Sequence, residues 1–226
     1  MLKKFNDKLH LMRHFFRSVR RRGVVRTVRI SLYEVWFERQ FGAATGFVIP
    51  VGRLDFDEEA RSHAEPYFPS SYLFLHEAFA ASGLDCRNQV FVDFGCGMGR
   101  ALLFASTLPF KRIVGVELSP SLCRSAEQNL ERYYRSRGKT TPEWCVVNAD
   151  ARLFIIPDDA TVFYIFNAFD ATIVGKVLDN IVASVLAHPR KCYLIYINPI
   201  HDGLVTKRGF KKITNCTTDY VIYAHQ

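Results

Sequence analysis

Val90-Phe91-Val92-Asp93-Phe94-Gly95-Cys96-Gly97-Met98-Gly99-Arg100 decides the fold. An apolar, strand-like run ends in an acid and three alternate glycines. The apolar stretch Ala101 to Leu108 behind it reads as part of a helix packed on a sheet. Glycines at such a turn supply positive φ and let the backbone approach a ligand with no β-carbon in the way. The spacing is G-x-G-x-G. A dinucleotide fingerprint places its third glycine one residue later, where this chain has Arg100. The turn therefore reads as the floor of a nucleoside pocket that cradles no pyrophosphate.

Outward from this turn, strand-like and helix-like stretches alternate, the pattern of a mostly parallel sheet with helices on both faces. Strands are expected at Gln89–Phe94, Arg112–Glu117, Glu143–Asn148, Ala160–Asn167, Lys191–Ile197, Phe210–Cys216 and Asp219–His225. Helices are expected near Met98–Leu108, Pro120–Arg137, Ala171–Ala187 and Gly203–Lys207. Only Thr217-Thr218 separates the last two strands, which makes them a hairpin. Upstream, Ser70-Ser71 is placed to cap a helix from Tyr72 to Ala81 that stops at Gly83. Ala43 to Pro69, with its prolines, glycines and the acids Asp55, Asp57, Glu58 and Glu59, reads as a loop-rich connector or lid with a short helix around Asp57–His63. Before it, Val24, Val25, Val28, Leu32, Val35 and Trp36 share one side of a helix ending near Phe41-Gly42. Three segments result: a basic helical extension over 1–42, the connector over 43–69 and the α/β domain over 70–226.

With 226 residues, 49% of them apolar, the chain suffices for one buried core. It has no apolar run long enough to span a bilayer and no uninterrupted apolar leader, so a soluble cytoplasmic protein is expected. The six cysteines show no C-x-x-C spacing; reduced thiols, no disulfides and no metal site are expected. Net charge is +8, yet residues 1–30 carry ten Lys/Arg against Asp7, or +9, leaving −1 for the rest. The basicity thus belongs to the leader and not to the domain, which argues against a nucleic-acid-binding core. Leu2, Phe5, Leu9, Met12, Phe16 and Val19 recur at helical spacing among those cations. A helix docked on the domain, an anionic membrane surface, an acidic partner or nucleic acid, and a transit peptide all stay open for this leader.

The ordered motifs resemble those of the class I S-adenosyl-L-methionine-dependent methyltransferases over residues 70–226. Asp93-Phe94-Gly95-Cys96-Gly97-Met98-Gly99 is similar to the glycine-rich first motif and Val114-Gly115-Val116-Glu117-Leu118-Ser119 to the second. Asn148-Ala149-Asp150-Ala151 matches the third, and Phe163-Tyr164-Ile165-Phe166-Asn167-Ala168-Phe169 occupies the fourth. Phe41-Gly42-Ala43-Ala44-Thr45-Gly46 and Glu65-Pro66-Tyr67-Phe68-Pro69-Ser70-Ser71-Tyr72 resemble pieces of a bacterial subgroup of mostly unassigned substrate. The second piece also resembles a Tyr/Pro-rich segment of small single-domain protein lysine methyltransferases. The resemblance implies a Rossmann-like seven-stranded methyltransferase sheet, mostly parallel with its last strand antiparallel.

It also implies a cofactor, S-adenosyl-L-methionine, held by Asp93, Gly95, Cys96, Gly97, Gly99, Glu117, Asp150 and Ala151. Glu117 lies 22 residues beyond Gly95, the distance at which a βαβ unit returns an acid beside a ribose. Asp150 would accept from the adenine amino group while the Ala151 amide donates to the ring; the alternative for Asp150 is a helix cap. Asp93 would orient the glycine turn or meet the methionine end of the cofactor. Arg100 would reach the methionine carboxylate or lie on the helix surface. Methyl transfer from a sulfonium needs alignment and exclusion of water rather than a metal. Asn167, at a strand's carboxyl end, is the candidate catalytic group, against a residue that merely closes the strand. Phe166 and Phe169 flank the acceptor or pack in the core. Tyr67 and Tyr72 form a lid or pack in the core, and His201 is the weakest proton acceptor candidate. Because Ala168-Phe169 replaces the Pro-Pro-aromatic form of exocyclic-amine methyltransferases, methylation of nucleic-acid bases is not favoured. The acceptor is then a protein, with a lysine amine first, or a small molecule. The competing readings are a non-catalytic binding module recruited by the basic leader and an NAD-dependent oxidoreductase.

Overall fold

The computed structural model describes residues 18–55, 66–166, 169–214 and 217–226. Residues 18–22 are helical, Gly23 interrupts with φ +79, and α1 (Val24–Phe41) follows, closed by Gly42 in the left-handed region. After a connector come α2 (Tyr72–Ser82), β1 (Val90–Phe94), α3 (Arg100–Ala105), β2 (Arg112–Glu117), α4 (Pro120–Arg137) and β3 (Glu143–Asn148). The chain ends through β4 (Ala160–Phe166), α5 (Ala171–Ala187), β5 (Cys192–Ile197), α6 (Asp202–Thr206), β6 (Lys211–Lys212) and β7 (Tyr220–His225).

The strands form one sheet in the order β3-β2-β1-β4-β5-β7-β6. β1 to β5 are mutually parallel, and β7 inserts antiparallel between β5 and β6. The Rossmann-like seven-stranded arrangement expected from the motifs is the one found. β1 is an interior strand and all five of its residues are buried, whereas the edge strand β3 buries none fully. Side chains alternate between two cores, as the period of a strand requires. Phe91, Ile113, Val162, Tyr164, Ile195 and Ile222 face α1 to α4, while Val92, Phe94, Val114, Phe163, Leu194 and Tyr223 face α5 and α6. No helix among the described residues is long and apolar enough to cross a membrane.

Where the helices carry their own caps, sequence and structure agree to the residue. α4 begins at Ser119, whose hydroxyl accepts from Leu122 N–H, with Pro120 at the first helical position and Gly138 left-handed at the end. α5 begins at Asp170, whose carboxylate accepts from Ile173 N–H. Three expectations need correction. α3 starts at Arg100 and not at Met98, because Gly97 and Gly99 take φ +54 and +79, which no right-handed helix contains. β6 is two residues long instead of seven. Ser71 does not cap α2 with its own side chain: Glu34 of α1 accepts from both Tyr72 N–H (2.9 Å) and Ser71 Oγ (3.1 Å). The helix expected at Asp57–His63 and the segment 1–17 lie outside the described residues.

α1 packs through an unexpected face. Thr27, Phe37 and Phe41 are its buried residues, and Phe37 stacks on both Phe41 and Tyr72. The apolar set read from the sequence does share one side, but that side points outward, with Val25 at 84% and Leu32 at 65% exposure. Cations of the leader also turn inward. Arg22 and Arg26 bind Asp219 at 3.1 and 2.8 Å, and Arg26 also binds Glu77 at 2.8 Å.

Candidate active site

The cavity opens at the carboxyl ends of β1, β2 and β4, where open α/β sheets bind ligands. It encloses about 980 Å³ of space, the open solvent at its mouth included. Its walls include Asp93, Gly95 and Cys96 at the end of β1, Glu117 and Leu118 at the end of β2, and Ala149 to Arg152 after β3. Tyr164, Phe166 and Phe169 line it from the β4 side, and Leu54 with Pro66 to Ser70 cover it.

β1 and β2 set the charge of this cavity. Asp93 and Glu117 are 2% and 7% exposed and follow the strand parity of Phe91 and Ile113, so both carboxylates face the same side. Gly95 and Cys96 N–H groups donate to the Val116 carbonyl at 2.8 and 3.0 Å, pinning the glycine turn to β2. Glu117 is tied in turn: its Oε2 accepts from Gly97 N–H and its Oε1 from Ser119 N–H, each at 2.9 Å. Burial pushes both carboxyls above the usual carboxylate range, and for Asp93 the charge of Glu117 adds to the push. The two cations on the walls are already engaged, Arg152 by Asp150 and Arg100 by Glu34 and Glu38. Asp93 and Glu117 are thus left without a cationic partner among the described residues, and a cationic ligand would favour their ionised forms.

Of the other residues named from the sequence, Ala151 lines the cavity and Asp150 lies beside it with its carboxylate accepting from Arg152 N–H at 2.8 Å. Asp150 caps no helix. Gly97 and Gly99 lie behind the wall. A β-carbon on Gly97 would sit 2.3 Å from Cε2 of Tyr67, and one on Gly99 would meet Ala126 of α4 at 3.1 Å. These glycines make room for neighbours of the chain itself. Tyr67 covers the glycine turn where a pyrophosphate would approach, its hydroxyl donating to the Thr45 carbonyl at 3.0 Å. Tyr72 is instead fully buried among aromatics. His201 sits at the start of α6, and it does not line the cavity. Asn167 lies outside the described residues; its neighbours Phe166 and Phe169 both line the cavity while packing against the cores.

Arg100 is neither a surface residue nor free. It is 3% exposed, lies over the Tyr72 ring at 3.9 Å, and pairs with Glu34 and Glu38. Its Nη1 donates to Thr45 Oγ1 at 2.8 Å, while its Nε is buried without a partner. Asp55 is a further site residue that the sequence does not single out. It closes the connector over the site by accepting from Ser119 Oγ and from Ser121 N–H (3.0 Å) at the start of α4, where the helix dipole favours an anion. Its neighbour Leu54 thereby becomes part of the wall. Nothing local in the sequence marks Asp55 apart from the other acids of that run.

Solved structures share this architecture. Precorrin-6y C5,15-methyltransferase from Geobacter metallireducens superposes with TM-score 0.52 at 13% identity, over 70% of this chain and 89% of that one. The chain has the class I methyltransferase fold. A precorrin 8w decarboxylase from Methanobacterium thermoautotrophicum also superposes, with TM-score 0.53 at 14% identity over 71% and 92% of the two chains. Two such names on one methyltransferase-type sheet show that this likeness establishes the fold alone. In sequence, the chain is 38% identical over 50 residues to ribosomal protein L11 methyltransferase of Colwellia psychrerythraea, which is 22% of this chain and 17% of that protein. A similar segment of the Alteromonas mediterranea protein of that name also matches at 38% over 50 residues, again 17% of its length. No family model matches the sequence.

Proposed function

We propose that this chain binds S-adenosyl-L-methionine in the cavity and transfers its methyl group to an acceptor nucleophile, with a protein amine first among acceptors. The observation that carries the reading is the pair of buried carboxylates, Asp93 and Glu117, on a wall whose cations are already engaged. A ligand with an ammonium and a sulfonium complements that charge; a dinucleotide, with its anionic pyrophosphate, does not. The position of Tyr67 over Gly97 supports the same choice.

In this reading Glu117 accepts from the two ribose hydroxyls. Asp93 faces the cationic methionine end, and Arg100 Nε, buried and unpartnered, offers a donor to the carboxylate. Asp150 and the Ala151 amide take the adenine. When bound, the cofactor would supply an electrophilic methyl carbon on a positively charged sulfur. The protein's part is to hold the acceptor in line and dry, which Phe166, Phe169, Phe68 and Leu54 do by lining the path apolar. An amine acceptor must shed a proton before attack, and Asn167 orients its neutral form through its side-chain amide. The protein acceptor is supported by the short match to proteins whose name states one, ribosomal protein L11.

Calorimetric titration tests this. S-adenosylhomocysteine, whose ammonium remains, should bind saturably at neutral pH while NAD does not. Since the cavity carboxyls ionise above the usual range of about 4, affinity should fall as pH is lowered through their raised values, because protonation removes the charge that attracts the ligand. The pair's effect on the free protein has the opposite sign. Its folded-state pKa values are raised, so its contribution to stability is greatest below the unfolded values and declines as pH rises through the folded ones. Binding of NAD alone, or an affinity that rises on acidification, overturns the reading. The role of Asn167 has its own test: Asn167→Ala should lower kcat about 10- to 100-fold and leave S-adenosylhomocysteine affinity within a factor of about two. Unchanged turnover would make it a structural residue.

A further inference from the structure

α1 has two faces of opposite character. Its only acids, Glu34 and Glu38, point inward to Arg100, Tyr72 and Thr45. Its outer face carries Val24, Val25, Val28, Leu32, Val35 and Trp36, all between 41% and 84% exposed. At 3.6 residues per turn these six fall within about 120° of arc, with Arg39 in their midst and Arg29 at the edge. Single exposed apolar side chains are ordinary; a continuous stripe of six marks a contact surface. A tryptophan in such a stripe, with arginines beside it, is the composition of a helix lying at a membrane interface.

We propose that this outer face docks on an anionic lipid bilayer. Charge selects lipid over a second copy of the chain. The segment leading into the stripe holds +9 within residues 1–30, and although Arg22, Arg26 and Arg29 face Asp219 and Glu77, Arg20, Arg21 and Arg39 form no ion pair among the described residues. Two copies meeting through this face would bring two such cationic segments together. A surface of anionic headgroups neutralises them instead, and each added Lys or Arg strengthens the attraction. In the sequence upstream, Leu2, Phe5, Leu9, Met12 and Phe16 recur at helical spacing among Lys3, Lys4, Lys8, Arg13 and Arg17.

The test uses the full chain and cosedimentation with phosphatidylcholine vesicles, with and without phosphatidylglycerol. Wild-type protein should partition at least about tenfold more strongly onto the anionic vesicles, and added salt should weaken that binding. Trp36 emission should shift to the blue on binding, a shift missing in Trp36→Phe, which leaves Trp144 as the reporter of the folded core. The double variant V25E/L32E, at the two most exposed positions of the stripe, should lose about tenfold or more in partitioning while keeping its thermal midpoint and its oligomeric state by light scattering. Equal partitioning of wild type and double variant overturns the proposal. A wild-type dimer that the double variant converts to monomer assigns the face to a second copy and also overturns it. A midpoint several degrees lower in the double variant would show that the chain's own residues cover the stripe, and the proposal fails on that outcome too.

Discussion

Glu117→Ala should abolish S-adenosylhomocysteine binding, with calorimetry showing affinity at least about 100-fold below wild type. Two hydrogen bonds from ligand hydroxyls to a charged acceptor contribute roughly 1.5–3 kcal/mol each, which is about two to four decades in affinity. The substitution has a second effect. Gly97 and Ser119 N–H groups both lose the acceptor they now have at 2.9 Å, and each buried unpaired donor costs about 1–3 kcal/mol. Part of the binding loss therefore comes from a loosened glycine turn. Glu117→Gln separates the two: its one carbonyl oxygen serves one backbone donor, so stability should recover partially while affinity stays low, because the amide nitrogen presents donors to ligand hydroxyls and has no charge. Wild-type affinity in Glu117→Ala would remove the residue from the site and with it the ribose assignment.

Arg100→Met should lower unfolding free energy by about 2–4 kcal/mol in urea. Removing one partner of a fully buried pair costs about 3–5 kcal/mol. The smaller figure applies because Glu34 and Glu38 keep 28% and 30% side-chain exposure and are partly solvated when left alone. Lost with the pair are the hydrogen bond to Thr45 and the stacking over Tyr72. Arg100→Lys should restore less than half, since one ammonium cannot reach Glu34, Glu38 and Thr45 at once as the guanidinium fork does. Because Glu34 and Arg100 share one ion pair, Glu34→Gln combined with Arg100→Met should cost less than the sum of the two changes. An Arg100→Met variant as stable as wild type would mean that the network adds nothing to α1 docking.

The fold was legible because its signals are local. Val90–Phe94 is apolar throughout but for Asp93 since β1 lies in the interior of the sheet, and Gly95, Gly97 and Gly99 stand where the backbone takes positive φ. Ser119-Pro120 and Asp170 carry the caps of α4 and α5 within three residues of the groups they satisfy. The same locality limits the reading where the partner is distant. Ser71 looks like a cap in sequence, yet the acceptor for Tyr72 N–H arrives from Glu34, 38 positions earlier. Arg100 stands where a dinucleotide fold has glycine, and its role depends on Glu34, Glu38 and Thr45, all more than fifty positions away.

The succession of strands and helices, the glycine turn and the acids that close β1 and β2 are thus written in the chain, because backbone conformation, capping and two-residue alternation act between neighbours. Long-range packing was needed to bring Asp93 and Glu117 into one cavity, to set Tyr67 rather than Tyr72 over it, and to place a side chain of the chain itself in the room that Gly97 leaves. Packing also fixed which way α1 turns. The apolar stripe of Val24 to Trp36 has the more regular periodicity, but Phe37, Phe41 and the acids that hold Arg100 gain more by facing the domain, through aromatic packing and the pairing of a buried cation. Periodicity states that a helix has a face; which face is buried depends on what the rest of the fold brings to meet it.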